Sequence, residues 1–260
     1  MHGALSELIK NIVSVMEGNV YGIWLYGSTV MDDYRPGWSD IDFVALTETE
    51  ISEKQAEELL MLRQKLQEQH PDNPCYRAME GIIANREEYC RQSYRRLVYW
   101  GTGGQRLTDA FSHDAFSRLE LARYSRAVYG DKTWVLPEPE PQELIRAVRS
   151  HYETIRKYAV QTDERLYSCG WLFDIARCIY TLRYKDVIAK TQAGKWALRE
   201  HIFPMEEQLR KAIQIREEPL RFKDDPQVRK WLSGLGEVVQ KYADVLEKEL
   251  NTAEASQHGL

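Results

Sequence analysis

The chain has 260 residues, a formal net charge of −5 and 43% hydrophobic residues, values typical of a globular protein with one large domain or two modest ones. The negative charge argues against a broad electrostatic grip on nucleic acid, and no apolar run approaches the about 18 residues that a bilayer span requires. The N-terminus lacks the pattern of a secretory signal and the four cysteines form no CxxC pair, so we expect reduced thiols in a cytoplasmic protein without nucleic-acid or membrane partners.

The N-terminal half of the chain alternates helical and strand patterns. Apolar residues at three- and four-residue spacing predict helices, and short runs rich in β-branched and aromatic residues predict strands. In chain order the patterns predict a helix over 3–17, strands over 20–26 and 41–46, a helix over 50–69, a strand over 76–84, a short helix over 86–90, a short strand over 97–100 and a helix over 115–129.

Three prolines alternate with other residues within 135–141, and such a segment cannot form a helix or a central strand. We place the boundary there, which gives domains over 1–137 and 138–260. The predicted fold class is an α/β (α+β) domain followed by an all-α helical bundle. Beyond the prolines the pattern predicts helices over 142–161, 164–183, 190–202, 205–215 and 226–251, and a frayed tail over 252–260.

Two carboxylates at the start of the second predicted strand give the strongest chemical signal. Asp40 and Asp42 project to one face, because strand residues two apart do so. Neighbouring carboxylates repel each other unless a cation lies between them, and Mg²⁺ prefers such oxygen ligands while keeping phosphate oxygens in its shell. The acid pair follows an apolar strand, a turn and a ten-residue gap, in the order Gly27-Ser28 then Ser39-Asp40-Ile41-Asp42-Phe43.

Each part of this motif has an ordinary alternative. The dipeptide Gly27-Ser28 permits close backbone approach and offers a hydroxyl to a phosphate oxygen, yet alone it is a common turn. An Asp-x-Asp pair also occurs as a surface pair, in calcium loops and in sugar-nucleotide transferases. The combination of turn, gap and acid pair on two strands favours metal-dependent nucleotidyl transfer.

Glu80 is a third candidate carboxylate, within the third predicted strand. Its apolar neighbours Met79 and Ile82 favour a buried strand over an exposed edge. Glu80 would then be a metal ligand or a general base that takes a proton from an acceptor hydroxyl. The three carboxylates provide enough oxygens for two Mg²⁺ ions, which would neutralise triphosphate charge and stabilise the leaving pyrophosphate.

The motif from Gly27 to Phe43 resembles that of the polymerase-beta-like nucleotidyltransferase superfamily. More narrowly, the chain resembles the aminoglycoside nucleotidyltransferases of the streptomycin 3″-/spectinomycin 9-adenylyltransferase type. The resemblance covers nearly the whole chain and is strongest over 24–46. It implies an added α-helical C-terminal domain, ATP as co-substrate, Ser39 with Gly27 and Ser28 on the phosphates, and Glu80 as the catalytic base. The family usually follows this Glu with Val-Thr, whereas this chain has Gly-Ile.

A second block of resemblance lies over 174–199. The family has an Arg and, thirteen residues later, a Lys that contact the nucleotide phosphates, with a Trp six residues beyond. Arg177, Lys190 and Trp196 match this spacing, although both cations could also be solvated helix charges. Lys185 is a rival for the lysine role, because an Asp follows it, as in the family, whereas Thr follows Lys190.

The resemblance also implies an acceptor-binding pair. Streptomycin-modifying members use a Trp and an Asp five residues later, and here Tyr158 and Asp163 have that spacing. An aromatic face and a carboxylate suit a cationic sugar, but the two residues could equally be ordinary helix-surface groups. A family Gly-Asp-Glu is replaced by Leu166-Tyr167-Ser168, which removes one acidic drug contact.

We therefore expect Mg-dependent transfer of AMP from ATP to a hydroxyl of an aminoglycoside or aminocyclitol antibiotic, with release of pyrophosphate. The partner would be this small cationic acceptor, and the protein would be a monomer or weak dimer that confers antibiotic resistance. Two alternatives stay open: the same chemistry on another small molecule or a protein hydroxyl, and a catalytically silent nucleotide-binding protein.

Overall fold

The computed structural model of the protein describes residues 2–101, 103–130 and 136–258. The chain divides into two compact units. The first comprises Met1–Val30, Ser39–His113 and Glu120–Glu138, and the second comprises Met31–Trp38, Asp114–Leu119 and Pro139–Leu260. Within the described ranges, no helix combines the length and the apolar character that crossing a bilayer requires.

The first unit is built on a six-stranded mixed sheet with the order β5-β4-β3-β2-β1-β6. The pair β2–β3 is parallel, and the other four neighbouring pairs are antiparallel. The strands are β1 Val20–Tyr26, β2 Ile41–Thr47, β3 Met79–Asn85, β4 Leu97–Gly101, β5 Gly104–Thr108 and β6 Arg126–Gly130.

Five helices accompany the sheet, and α2 makes the crossover between the two parallel strands. A capping box at Ser52 and Gln55 begins α2, because the two side chains satisfy each other's unpaired backbone N–H groups. Helix α2 packs on α1, β4 and β5. The helices are α1 His2–Val15, α2 Glu53–Gln69, α3 Cys75–Ala78, α4 Arg86–Arg91 and α5 Ala115–Tyr124. The residues of α5 up to Leu119 belong to the second unit.

The second unit is helical, and its buried apolar residues form one continuous core. Helix α6 starts at Pro141, where proline's missing N–H costs nothing, and Glu140 and Glu143 form a capping box before it. The helices are α6 Pro141–Tyr158, α7 Gly170–Tyr184, α8 Lys190–Arg199, α9 Glu206–Glu217, α10 Pro219–Phe222, α11 Pro226–Ser233 and α12 Gly236–His258.

The predicted helix over 115–129 is wrong in its second half. Helix α5 ends at Tyr124, and β6 then pairs antiparallel with the edge of β1. Arg126, Ala127, Tyr129 and Gly130 pair with residues of β1, so sheet pairing overrides the helical spacing. The structure also contains β5, Gly104–Thr108, which pairs with β4 in a stretch where the sequence pattern predicted no strand.

Three boundaries in the helical unit also differ from the prediction. The helix predicted over 164–183 is a short 3₁₀ turn, Leu166–Cys169, followed by α7. The helix predicted over 226–251 is two helices, α11 ending at Ser233 and α12 beginning at Gly236. A Cβ atom at Gly236 would lie 2.0 Å from the carbonyl oxygen of Val160, so the start of α12 requires a glycine. The tail is helical to His258 rather than frayed from 252, and Arg149 pairs with Glu254 on its last turns.

A buried ion pair lies within the helical unit. Asp33 and Arg216 are each 2% exposed, and the guanidinium donates to the Asp33 carboxylate at 2.9 Å. The same carboxylate accepts from the backbone N–H of Thr191 at 3.1 Å, at the start of α8. The guanidinium also lies 5.2 Å from the centre of the Trp38 ring. Asp33 therefore caps α8 and ties the loop after the Gly-Ser turn to that helix.

Burial by itself would raise the pKa of Asp33, but the charge of Arg216 and the hydrogen bonds from Thr191 and Arg216 outweigh it, so the pKa is lowered. A carboxyl group whose pKa is depressed by folding stabilises the native state above its unfolded pKa. This contribution is therefore present at neutral pH and is lost as the pH falls through the lowered pKa of Asp33.

Replacing Arg216 by methionine should leave Asp33 buried without its counter-charge. We expect Arg216→Met to lower the free energy of unfolding by about 3–5 kcal/mol at pH 7, measured by urea denaturation. Arg210→Met on the same helix is the matched control, because Arg210 is 57% exposed and such surface pairs contribute at most about 1 kcal/mol. Equal losses in the two variants would contradict a stabilising role for the buried pair.

Candidate active site

The turn after β1 brings the Gly-Ser dipeptide against the second carboxylate of the Asp pair. Gly27 opens a 3₁₀ turn over Gly27–Thr29 with φ of +65°, a region that favours glycine. A Cβ atom at Gly27 would lie 2.4 Å from Oδ2 of Asp42. Ser28 donates from Oγ to the carbonyl oxygen of Asp40 at 3.4 Å. Gly27 is thus required both by the turn and by the space that the Asp42 carboxylate occupies.

The parallel register of β2 and β3 places the third carboxylate beside the pair. Asp42 and Glu80 are directly paired residues, each second in its strand, so their side chains lie on the same face. Asp40 immediately precedes β2. All three acids are half-buried, as is Ser39 before them, whereas Ile41 is fully buried on the opposite face. The structure therefore places Asp42 beside both Glu80 and Gly27, and Ser28 beside the backbone of Asp40.

The donor set fits a hard divalent cation, because carboxylate oxygens are the ligands that Mg²⁺ prefers. Among the residues that the structure describes, no three histidine, cysteine, aspartate or glutamate side chains lie together as a metal-binding cluster. Nucleotide enzymes usually hold Mg²⁺ by one or two carboxylates together with substrate phosphates. Asp40 and Asp42 are the residues in this motif that could hold such an ion beside Gly27.

Glu80 has a hydrogen-bond donor on the next strand. The hydroxyl of Tyr99 donates to Oε1 of Glu80 at 2.8 Å. Burial, with the hydrogen bond to Glu80, raises the pKa of Tyr99 to about 12, so the phenol stays protonated. Arg63 on α2 interacts electrostatically with both Glu80 and Tyr99, and it donates to the carbonyl oxygen of Gly101 at 2.5 Å.

A buried tyrosine lies on the other side of the Asp pair. Tyr26 pairs with Asp42 across β1 and β2, and its hydroxyl lies 3.2 Å from Nε2 of His113. Burial raises the pKa of Tyr26 well above its ordinary value, and the negative charge of Asp42 raises it further. Tyr26 therefore remains neutral, and it forms part of the apolar cluster behind the acids, which includes Val44 and Ile82.

In the helical unit, the two predicted phosphate-binding cations lie around one aspartate. Lys190, the first residue of α8, pairs with Asp174 at 2.9 Å. Arg177 donates from Nε to the carbonyl oxygen of Ile188 at 3.0 Å. Burial would raise the pKa of Asp174, but Lys190 and Arg177 outweigh it, so the pKa is lowered. Arg177 and Lys190 are therefore near each other electrostatically, with Asp174 as their shared anion.

The other residues of that block have structural contacts. Trp196 is 3% exposed within the core. Lys185, the rival for the lysine role, adopts a left-handed conformation at the end of α7. Its ammonium group donates to the carbonyl oxygen of Leu182 at 2.7 Å. This is a helix-capping contact of the kind that satisfies a terminal carbonyl group.

The predicted acceptor pair has local contacts. Tyr158 is 59% exposed, and the ammonium group of Lys157 lies 4.8 Å from the centre of its ring. Asp163 pairs with Arg165 at 2.6 Å and accepts from Oγ of Ser168 at 3.0 Å. The hydrogen bond from Arg165 is the main cause that lowers the pKa of Asp163. Asp163 is therefore already engaged with Arg165 and Ser168 in the structure.

Three residues of these surroundings were not found from the sequence. Tyr99 gave no signal, because its role depends on the strand order β3-β4. Arg63 could have been noticed as a cation within the apolar stripe of α2, where it is 4% exposed. Asp174 precedes Arg177 by three residues, a spacing at which helical side chains lie side by side.

Two family models match successive parts of the chain. The nucleotidyltransferase domain matches residues 6–98, and the aminoglycoside adenylyltransferase C-terminal domain matches residues 134–232. The sequence has no match among curated proteins. The crystal structure of spectinomycin adenyltransferase AAD(9) from Enterococcus faecialis, with ATP and spectinomycin, is similar with a TM-score of 0.67 and 17% identity, over 95% of this chain and 99% of that chain.

The matched ranges together span most of the chain, and they confirm the predicted fold class of a nucleotidyltransferase domain followed by a helical C-terminal region. They also confirm the resemblance drawn from the Gly-Ser and Asp-x-Asp motif. The chain is an enzyme of the nucleotidyltransferase type, and its C-terminal domain matches that of the aminoglycoside adenylyltransferases.

Proposed function

We propose that this enzyme transfers AMP from Mg·ATP to a hydroxyl group of a small cationic acceptor of the aminoglycoside or aminocyclitol type, and releases pyrophosphate. The observation that carries the proposal is the parallel pairing of Asp42 with Glu80 beside the Gly27 turn. It gathers carboxylates and a phosphate-compatible backbone at one place. The match to the aminoglycoside adenylyltransferase C-terminal domain supports the acceptor class.

In this reaction Glu80 accepts the proton of the acceptor hydroxyl as its oxygen attacks the α-phosphorus. The new oxygen–phosphorus bond forms as the bond to the bridging oxygen breaks, and pyrophosphate leaves with the electron pair. Asp40 and Asp42 are proposed to hold Mg²⁺, which would neutralise triphosphate charge, and Glu80 is proposed as the base rather than as a metal ligand. Gly27 has no side chain that would keep phosphate oxygens away from the backbone, and the Ser28 and Ser39 hydroxyls are proposed to donate to these oxygens.

Arg177 and Lys190 are the proposed phosphate-binding cations of the helical unit. Both interact electrostatically with Asp174 in the structure. When ATP binds, the two cations would exchange the Asp174 carboxylate for the more highly charged triphosphate. Charge-assisted hydrogen bonds of this kind are stronger than those between neutral groups. We assign the role to Lys190 rather than Lys185, because the Lys185 ammonium group is engaged in capping α7.

For the acceptor we propose a streptomycin- or spectinomycin-type antibiotic, in contact with Tyr158 and Asp163. The similar structure contains spectinomycin together with ATP. An exposed aromatic ring and a carboxylate that already binds the Arg165 guanidinium suit a polycationic sugar. On this proposal the protein confers antibiotic resistance and acts in the cytoplasm as a monomer or weak dimer.

An acceptor screen tests the acceptor class. Purified enzyme with ATP and Mg²⁺ should release pyrophosphate only when streptomycin, spectinomycin or a related aminocyclitol is present, and mass spectrometry should find the drug heavier by one AMP. Release with another small molecule or with a protein would replace the proposed acceptor and keep the chemistry. No release with any acceptor, together with ATP binding, would favour the catalytically silent alternative.

Replacing Glu80 by glutamine tests the base. The amide keeps the size of the side chain and can still accept from Tyr99, but it cannot take up a proton. We expect kcat to fall about 10²- to 10⁴-fold, with ATP affinity by calorimetry unchanged. Glu57→Gln, at an exposed position of α2, is the control and should retain full activity. A kcat of Glu80→Gln within about threefold of wild type would remove Glu80 from the mechanism.

Two lysines on α8 provide a matched test of the phosphate clamp. Lys190→Ala removes the cation beside Asp174, and we expect KM for ATP to rise about 10- to 100-fold, as the loss of a charge-assisted hydrogen bond predicts. Lys195 pairs with Glu217 at 2.6 Å and is 48% exposed, so Lys195→Ala should leave KM for ATP within about twofold. Similar changes in both variants would indicate a general charge effect rather than a specific phosphate contact.

A further inference from the structure

We propose that Tyr99 is a positioning residue for Glu80, and that Gly101 provides the space that the Tyr99 hydroxyl requires. This inference rests on the proposed function, because Glu80 is a base only in that reaction. It adds to the site two residues of β4, Tyr99 and Gly101.

The strand register brings the two side chains to one face of the sheet. Tyr99 pairs with Ile82 across β4 and β3, and Ile82 lies two residues after Glu80, so all three side chains project to the same side. The Tyr99 hydroxyl reaches Oε1 of Glu80 at 2.8 Å.

A hydrogen-bond donor in a fixed position helps a general base, because it holds the carboxylate in place. A glutamate side chain has three rotatable bonds, and a hydrogen bond to one carboxylate oxygen restrains their rotation. The carboxylate is then held in a defined direction relative to the acceptor hydroxyl. Because a displacement of about 1 Å at a reacting group can cost about 10²-fold in rate, a restraint on Glu80 has a large effect on kcat.

The tyrosine is itself held from two sides. A Cβ atom at Gly101 would lie 2.3 Å from the Tyr99 hydroxyl oxygen, so a side chain larger than hydrogen would displace the phenol. The guanidinium of Arg106 lies 4.2 Å from the centre of the Tyr99 ring, a cation–π contact. Arg63 fixes the backbone on the same side by donating to the carbonyl oxygen of Gly101 at 2.5 Å.

The first test removes only the hydroxyl. Tyr99→Phe should lower kcat about 10- to 100-fold with KM for ATP unchanged, because the nucleotide does not contact the phenol on this proposal. Tyr129→Phe on β6 of the same sheet is the control and should retain wild-type kcat. Thermal unfolding of both variants checks that the sheet is intact, and kcat of Tyr99→Phe equal to wild type would contradict the proposal.

The second test asks whether Tyr99 acts through Glu80. Glu80→Asp withdraws the carboxylate from the phenol but keeps a base, so adding Tyr99→Phe to it should change kcat less than about twofold. A purely structural effect would instead lower kcat by the same factor in both backgrounds, and that result would overturn the positioning role.

The third test displaces the hydroxyl without removing it. Gly101→Ala should reproduce the loss of kcat seen with Tyr99→Phe, and the double variant should be no worse than the more severe single variant. Full activity of Gly101→Ala would contradict the spacing role. If Tyr99→Phe is silent while Glu80→Gln is inactive, the positioning role fails and the proposed function stands. If wild type transfers no nucleotide to any acceptor, both fail.

Discussion

The site depends on one constraint, the parallel pairing of β2 with β3 in a single register. Residues in a strand alternate between two faces, so a shift of one residue would move Glu80 to the face that carries Ile41 and away from Asp42. Parallel neighbours require a crossover, and α2 provides it. The apolar residues that follow each acid, including Val44 and Ile82, are fully buried and make any other register costly.

A second constraint is the room that the side chains of the proposed site need, and a glycine provides this room at two positions. The Asp42 carboxylate lies where a Gly27 side chain would be, and the Tyr99 hydroxyl lies where a Gly101 side chain would be. Interiors are packed closely enough that an added methyl group forces a shift of its neighbours. The positions of these two oxygen atoms of the proposed site are therefore determined as much by missing side chains as by hydrogen bonds.

The sequence was most informative where local patterns decide the structure. Val20 to Tyr26 forms a strand as its apolar run predicts, and the acid pair opens β2. Prediction failed where distant segments decide: Arg126 to Gly130 is a strand because β1 has an open edge. The contact between Tyr99 and Glu80 could be seen only once the strand order was known, since no spacing along the chain links the two residues. The hydrophobic periodicity of a segment does not show which strand edges pair with each other.

The Asp33–Arg216 pair shows how stability and chemistry are connected within the helical unit. The Asp33 carboxylate holds the backbone N–H of Thr191, the residue after Lys190, and Ala189 before them has no side chain that could cap the helix. The capping anion comes from the loop that links the Gly-Ser turn to the Asp pair. A buried ion pair is weak evidence for net stability, but the Asp33 carboxylate connects Thr191 and Arg216 through hydrogen bonds. Here it fixes the start of α8, and therefore the backbone position from which Lys190 extends.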